Sequence, residues 1–260
     1  MADSGLADAV AEIARQAGAL ALRHWRTDFH RWEKAPNDPV SQVDLDVNAL
    51  LHARLSALLP DAGWLSEETA DNADRLACGR VWVVDPIDGT RDYIRGRDGW
   101  AVSVALVEQG RVTIGVLDAP ARGDIWRAVL GQGATRNGVA LHAGDRSVFG
   151  GARVPTDGLP KVDSDLVAVA KPNSIALRIA MVAADEADLV ATLRWGSEWD
   201  IAAAALIASE AGAAVSDAFG GDLAFNTPSA KAFGVLATAP GIHAAAVERL
   251  RDRARALSVP

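Results

Sequence analysis

Ten consecutive residues constrain this chain more than any others: Val81-Trp82-Val83-Val84-Asp85-Pro86-Ile87-Asp88-Gly89-Thr90. The four apolar, mostly β-branched residues at its start read as a fully buried strand. Pro86 cannot donate to a ladder, so the strand is expected to end there. Two carboxylates, Asp85 and Asp88, leave that end three positions apart. Gly89 lets the backbone bend and approach a ligand. Thr90 adds a hydroxyl and is expected to open a short helix whose unpaired N–H groups favour an anion. One turn thus offers oxygen ligands for a divalent cation and amide donors for a phosphate. The competing reading of these residues alone is a surface turn with two solvated aspartates.

The chain has 260 residues, half of them hydrophobic, enough for a large core in one unit or two fused halves. Its net charge of −8 argues against a general binder of nucleic-acid polymers, which would show a basic footprint. Cys78 is the only cysteine, so no internal disulfide forms, and a reducing compartment follows. Met1-Ala2-Asp3-Ser4 lacks a basic region followed by an apolar one, and the apolar run Ile201–Ala208 is too short to span a bilayer. A cytoplasmic protein without membrane contact is expected.

Leu6, Val10, Ile13, Ala17, Leu20 and Ala21 recur at helical spacing, which predicts a helix over 4–26 capped by Ser4. His24, Trp25, His30 and Trp32 follow; packing explains them better than metal ligation. Residues 31–39, polar and with prolines at 36 and 39, read as a mobile loop. A second helix carries Val47, Leu50, Leu51, Leu55 and Leu58 and stops at Pro60. Asp44 stands at its start, where a carboxylate complements the helix dipole. Trp64-Leu65-Ser66 is extended and leads to Glu67-Glu68, a pair that reads as solvated loop unless both segments end on one sheet edge. Residues 100–107 and 111–117 form a hairpin around Glu108-Gln109-Gly110, 125–130 is a further strand, and Asn137-Gly138 marks a two-residue hairpin. Gly131-Gln132-Gly133 is a turn in that meander, not a dinucleotide fingerprint.

From about residue 145 the character changes. Gly150, Gly151, Pro155, Gly158 and Pro160 mark a loop-rich junction. Strands at 166–170, 189–193, 213–216 and 233–237 alternate with a helix capped by Ser174, an alanine-rich helix opened by Asp200, and a last helix with Pro240 at its first position. Residues 1–145 are expected to form an α+β subdomain, with helices on an antiparallel sheet. Residues 146–260 are expected to form an α/β subdomain of the same compact unit. Asp200 alone reads equally as a helix N-cap.

Five carboxylates stand at element ends: Asp44, Glu67, Asp85, Asp88 and Asp200. No lysine lies beside them in sequence. Two unit charges ~4 Å apart repel by ~4 kcal/mol at an effective dielectric of ~20, so convergence requires cations. All-oxygen ligation without a Cys/His set selects Mg²⁺ or Mn²⁺ over zinc. The chemistry that follows is phosphate-ester hydrolysis.

Glu67-Glu68, Asp85-Pro86-Ile87-Asp88-Gly89-Thr90 and Trp199-Asp200-Ile201-Ala202-Ala203 resemble the signatures of the inositol monophosphatase superfamily. Asp38 to Asp44 is similar to its upstream D-x-V-T-x-x-D element, with Ser41 at the usual Thr. Gly131-Gln132-Gly133-Ala134 and Asn137-Gly138 resemble its G-x-G-A-x-x-N-G hairpin. The resemblance covers nearly the whole chain. It implies an α/β/α/β/α sandwich, two to three Mg²⁺ ions, lithium sensitivity and a homodimer. It also implies that Glu67, Asp85 and the Ile87 carbonyl hold one ion and that Asp85, Asp88 and Asp200 hold a second. Thr90 and Asp44, with Glu67 nearby, would activate the water, and the Gly89 and Thr90 amides would bind the phosphate.

In the inositol-hydrolysing branch an acidic residue stands seven places before the Trp-Asp aspartate; here that place is Leu193. Arg194-Trp195-Gly196, with Ser174, Leu177 and Arg178, instead resembles the bacterial 3'(2'),5'-bisphosphate nucleotidase (CysQ-like) branch. An arginine pairs bidentately with a second phosphate, and Trp195 offers a face to a base. The bisphosphate nucleotide is therefore the expected substrate, with inositol-1-phosphate or histidinol phosphate as the alternative. A non-catalytic phosphate-binding protein would have lost Thr90, Glu67 or an aspartate, and all are present. Chelation is expected to abolish phosphate release, Mg²⁺ to restore it, and Ca²⁺, with its looser coordination, to inhibit; full turnover in excess EDTA refutes the metal reading.

Overall fold

A computed structural model describes residues 4–35 and 38–258. Helix α1 (Ser4–His24) buries its stripe of Ala7, Val10, Ala14, Ala17 and Ala21. Ser4, the expected cap, is its first described residue. The segment expected as a mobile loop is instead a ribbon of β1 (Arg31–Ala35) and β2 (Asp38–Ser41), paired antiparallel. Pro39 fits there because a two-stranded ribbon leaves each strand an edge that needs no N–H donor. Pro36 lies outside the described residues. Helix α2 (Gln42–Leu58) follows directly and ends before Pro60.

Strands β3 (Gly63–Ser66) and β4 (Arg80–Asp88) pair in parallel. Helix α3 (Thr90–Ile94) is one short turn further on. Strands β5 (Ala101–Glu108), β6 (Arg111–Ala119), β7 (Asp124–Val129), β8 (Ala134–Arg136) and β9 (Val139–Ala140) complete a seven-stranded sheet in the order β3-β4-β5-β6-β7-β8-β9. The expected turns are there, with both central residues left-handed: Gln109 and Gly110 at φ 51 and 79°, Asn137 and Gly138 at φ 51 and 79°. The Gly131 and Gly133 amides both donate to the Glu210 carboxylate at 2.8 Å, which docks this hairpin on a helix beyond residue 200.

In the second half, β10 (Arg153–Pro155) and β11 (Val167–Val169) pair in parallel. Helix α4 (Ile175–Ala183), strand β12 (Leu189–Ser197), helix α5 (Ala202–Glu210), strands β13 (Ala214–Ser216) and β14 (Lys231–Thr238), and helix α6 (His243–Ser258) follow. Helices and strands alternate as expected, yet the sheet β12-β14-β13 is antiparallel throughout.

The layers are α1 and α2, the large sheet, α4 and α5, the three-stranded sheet, then α6. This is the expected α/β/α/β/α sandwich. Alternation along β4 explains it: Val81 and Val83 join the core under α4 and α5, while Trp82 and Val84 join the core under α1 and α2. Helix α5 lies between two sheets, so Ala202 to Ala208 are all buried, as a helix apolar all round requires. Alanine is what fits: a Cβ on Gly115 of β6 would stand 2.6 Å from the Ala203 carbonyl oxygen.

One buried carboxylate serves no described element of this core. Asp118 at the end of β6 is 6% exposed and packs on Gly18 of α1. Burial pushes its carboxyl up from 3.8 to about 7, against a weaker pull from Arg15. Its stabilising contribution is complete below pH 3.8 and is lost as pH rises to about 7. The loss amounts to ~1.4 kcal/mol per pH step in that window. Asp118→Asn should therefore flatten the fall in melting temperature between pH 4 and 7 (roughly that window); parallel curves for the two proteins refute the assignment.

Candidate active site

The site is built on an irregularity in β4. Asp85 pairs with Ser103 and Asp88 with Ala101, so Pro86 and Ile87 together oppose the single residue Val102. Strand β4 thus runs through Pro86 to Asp88 instead of ending at the proline. Pro86 is accommodated because the extra residue of a bulge needs no ladder bond. The bulge also sets direction. In a regular strand, residues three apart point to opposite faces. Here the partners Ser103 and Ala101 are two apart, so Asp85 and Asp88 leave on the same face, the one covered by α4 and α5.

Asp85 and Asp88 are 1% and 7% exposed. Burial drives the Asp85 carboxyl well above the usual carboxylate range, and repulsion from Glu67, Asp88, Asp200 and Asp44 adds to it. One Asp85 oxygen accepts the Ile87 N–H at 3.0 Å. Asp88 meets the N-terminus of α4: it accepts the Ser174 hydroxyl at 2.5 Å, the Ala176 N–H at 2.7 Å and the Ile175 N–H at 3.4 Å. Burial raises Asp88 to about 6, opposed by those hydrogen bonds and by Arg178. Asp200 lies in a 3₁₀ turn before α5, whose cap residue is Ile201 with no side-chain cap bond. The N-cap reading of Asp200 is therefore set aside. Burial raises its carboxyl to about 8, with Asp88 and Glu67 adding to the effect and Arg194 opposing it.

Asp44 comes from the other face of the sheet. It is the third residue of α2 and forms a capping box with Ser41, whose hydroxyl lies 2.5 Å from Asp44 Oδ2. Its second oxygen stands 3.4 Å from Thr90 Oγ1, which donates to the Ile87 carbonyl at 3.0 Å. Burial raises Asp44 to about 7 despite the bonds from Ser41. Glu67 follows β3 and gives its N–H to the Val84 carbonyl at 3.3 Å, which sets it beside the strand that carries Asp85. Parallel pairing of β3 and β4 puts both chain ends on one edge, so Glu67-Glu68 is part of the site and not a solvated loop.

Two features escape the sequence. Lys34 of β1 bonds Glu67 at 3.0 Å and Glu68 at 2.8 Å. Burial works to lower the Lys34 pKa, but attraction to Glu67 and hydrogen bonds to both glutamates raise it overall. The acidic pair thus has a cation after all, supplied from 33 residues away. Glu198, fully buried, accepts the Asn226 and Thr227 N–H groups at 2.6 and 2.9 Å and so ties down the loop before β14 next to Asp200. Its only sequence trace is its place in Glu198-Trp199-Asp200.

The proposed substrate contacts divide. A second bulge sets Leu193 and Arg194 of β12 opposite the lone Gly234, which is left-handed at φ 71°. Leu193 packs into the core beneath α6. Arg194 is exposed and close enough to Asp200 to oppose its rise. Trp195 is 51% exposed and lies edge-on to Phe233, which stacks with Phe219. Arg178 gives its donors to the Pro172 and Asn173 carbonyls at 2.9 and 2.5 Å, and the Ser174 hydroxyl is given to Asp88. The structure brings Asp44, Glu67, Asp85, Asp88, Thr90, Ser174 and Asp200 together, and leaves Trp195 on the aromatic stack. Each of the carboxylates is turned to protein donors or neighbours. Among the described residues no three His, Cys, Asp or Glu side chains stand in the arrangement of a metal site.

The family model described as "Inositol monophosphatase family" matches residues 3–256. An inositol-1-monophosphatase of Mesorhizobium japonicum is 34% identical, over 85% of this chain and 88% of that one. A Nus factor SuhB of Xylella fastidiosa is 33% identical, over 81% of each. Among solved structures, the Thermotoga maritima IMPase superposes with a TM-score of 0.80 at 26% identity, covering 94% of this chain and 96% of the other.

Gly89 is the joint between bulge and helix, left-handed at φ 96°. A Cβ there would stand 2.6 Å from the Gly99 carbonyl oxygen and 2.9 Å from the Ser174 nitrogen, both backbone. Gly89→Ala is expected to lose more than ~2 kcal/mol of stability, read by denaturant titration, since the left-handed conformation alone costs ~1–2 kcal/mol. A wild-type midpoint refutes this geometry.

Proposed function

Because the chain belongs to the inositol monophosphatase family, and is by that membership a phosphoric monoester hydrolase, we propose that it is a Mg²⁺-dependent enzyme for small phosphate esters that works at the β4–α3 turn. The observation that carries this reading is the same-face placement of Asp85 and Asp88 by the bulge, with Asp200, Glu67 and Asp44 around them. The donor set suits a hard divalent cation once the carboxylates turn from their protein partners toward it: the donors are all oxygen, and the repulsion that raises Asp85 is what a cation relieves. Glu67, Asp85 and the Ile87 carbonyl would hold one ion, and Asp85, Asp88 and Asp200 a second. Bound there, Mg²⁺ would supply charge neutralisation of the phosphoryl oxygens.

The remaining steps belong to the chain. The Gly89 and Thr90 amides, at the start of α3, would hold the phosphate. The Thr90 hydroxyl, held by the Ile87 carbonyl and beside Asp44, would orient the attacking water. Asp44, raised to about 7, is poised to take its proton near neutral pH. Ser174 and the Ala176 amide would keep Asp88 aimed at the site.

On substrate, the inositol-1-monophosphatase relative supports an inositol-1-phosphate type of ester over the bisphosphate nucleotide. Arg194, exposed and electrostatically linked to Asp200, favours the nucleotide as a second reading. The two are separated by kcat/KM for inositol-1-phosphate and a 3',5'-bisphosphate nucleotide in the wild type and in Arg194→Ala. A ratio favouring inositol-1-phosphate and unmoved by the arginine change is expected. A nucleotide preference lost with Arg194 installs the second reading. Thr90→Ala should lower kcat by ~10²–10⁴-fold with Mg²⁺ affinity unchanged; wild-type kcat in that variant refutes the assigned role.

A further inference from the structure

Among the described residues, the buried carboxylates Asp44, Asp85, Asp88, Asp92, Asp163, Asp188 and Glu198 each accept a hydrogen bond. Asp118, 6% exposed, accepts none and has no cation within ion-pair distance. Only a longer-range pull from Arg15 acts on it, and that exposed guanidinium stands 3.6 Å from Glu12. A desolvated carboxylate without a donor is costly to keep. Nor is Asp118 packed shut. It lines a cavity of about 500 Å³ between α1 and the start of β7, a volume within the range of small-ligand sites.

The base of this cavity exists because a side chain is missing. A Cβ on Gly18 of α1 would stand 1.8 Å from Asp118 Oδ2 and 3.2 Å from the Pro120 ring. A glycine inside a helix lowers its stability, and here it makes room for the carboxylate. Asp124 accepts the Asn137 side-chain amide at 3.0 Å, and the Asn137 oxygen accepts the Ile125 N–H at 2.9 Å, which fixes the hairpin side of the cavity. Asp118 lies against α1, whereas Asp85 and Asp88 leave the sheet on the face covered by α4 and α5. The two sites are therefore on opposite faces of the large sheet.

The lining selects among cations. Its charged groups are Arg15 from α1, Asp118 from β6 and Asp124 from β7, so carboxylates outnumber guanidinium two to one, in a chain of net charge −8. A hard metal ion asks for six or more oxygens, and the remaining walls are largely apolar, with Leu22, Pro120 and Ile125 among them. An organic ammonium ion suits both parts. Its N–H groups give Asp118 the charge-assisted bonds it lacks, and its carbon stem buries against the apolar walls. We propose that this cavity binds a primary alkylammonium ion, whose ammonium group donates to Asp118 and whose stem lies along Leu22, Pro120 and Ile125.

The test titrates the full chain with 1-butylammonium chloride, followed by NMR, against sodium chloride at equal ionic strength. It is run at about pH 8, above the value of about 7 to which burial raises Asp118. The wild type and Asp85→Asn should bind with the same affinity, and Asp118→Asn should bind about tenfold more weakly. Gly18→Ala, which pushes the carboxylate aside, should weaken binding while α1 keeps its helical signal. Affinity should rise about three- to fourfold per methylene from ethyl- to butylammonium. Uncharged 1-butanol should bind about tenfold more weakly than the ammonium ion. Absence of binding in the wild type overturns the proposal, as does binding that Asp118→Asn spares and Asp85→Asn abolishes. Equal affinity for 1-butanol overturns it, because the cavity is then merely apolar. Binding that appears only in Arg15→Gln also overturns it, because Arg15 is then Asp118's own partner and fills the space.

Discussion

The site depends on one extra residue in β4. A strand alternates its side chains, and no choice of residues in a regular strand could send Asp85 and Asp88 to the same face three positions apart. The bulge at Pro86 and Ile87 removes that restriction while the ladder to β5 resumes at Asp88. Proline is suited to the position because it has no N–H to leave unpaired. The same device recurs in β12, where Leu193 and Arg194 face the single, left-handed Gly234. There the bulge turns Leu193 into the core beneath α6 and leaves Arg194 exposed beside Asp200. In both strands the side chains are re-aimed where the ladder is interrupted.

Most of the fold was legible because the periodicities were clean. The hairpins at Gln109-Gly110 and Asn137-Gly138, the helices from Ser4 and from Gln42, and the capping of α4 by Ser174 follow from local chemistry alone. The ribbon at 31–41 was not legible: its strands are short, polar and exposed, so burial left no pattern to read. The end of β4 was misplaced for a related reason. A proline stops a regular ladder, and only the cross-strand register shows that a bulge carries the strand past it. In the site, the aspartates were legible from their positions at element ends. Lys34 was not, because its contact with Glu67 and Glu68 exists only once β1 folds over β3. Nor does any local pattern show that the Ser174 hydroxyl bonds Asp88, a contact made across 86 residues of chain.

Electrostatics shows what this arrangement asks of the fold. Asp44, Asp88 and Asp200 are raised to about 7, 6 and 8, each with burial as the leading cause, and Asp85 is raised beside them. Carboxyls raised in this way favour the folded state only while they remain neutral, so near pH 7 they oppose folding. The fold supplies partial compensation in three forms: the Ser41 capping box on Asp44, the helix N-terminus on Asp88, and the Lys34 ammonium on Glu67 and Glu68. None of these neutralises Asp85, whose donor among the described residues is the Ile87 amide. Asp85, 1% exposed and pressed by Glu67, Asp88, Asp200 and Asp44, is therefore a position at which a cation relieves much of the repulsion.

Asp88 shows how binding and folding are joined in this structure. It ends the bulged strand of the first half, yet its partners are Ser174, Ile175 and Ala176, which begin the first helix of the second half. For α4 the carboxylate satisfies two of the orphan N–H groups that every helix start leaves, and its charge suits the positive end of the dipole. For β4 the same contact sets the direction in which the carboxylate points. Moving Asp88 thus means uncapping α4, and shifting α4 means re-aiming Asp88. That reciprocity makes the 171–174 segment, whose Pro172 and Asn173 carbonyls are held by Arg178, a hydrogen-bonded connection through which movements of α4 reach the carboxylate cluster, beside those that Lys34 and Ser41 make from β1 and β2.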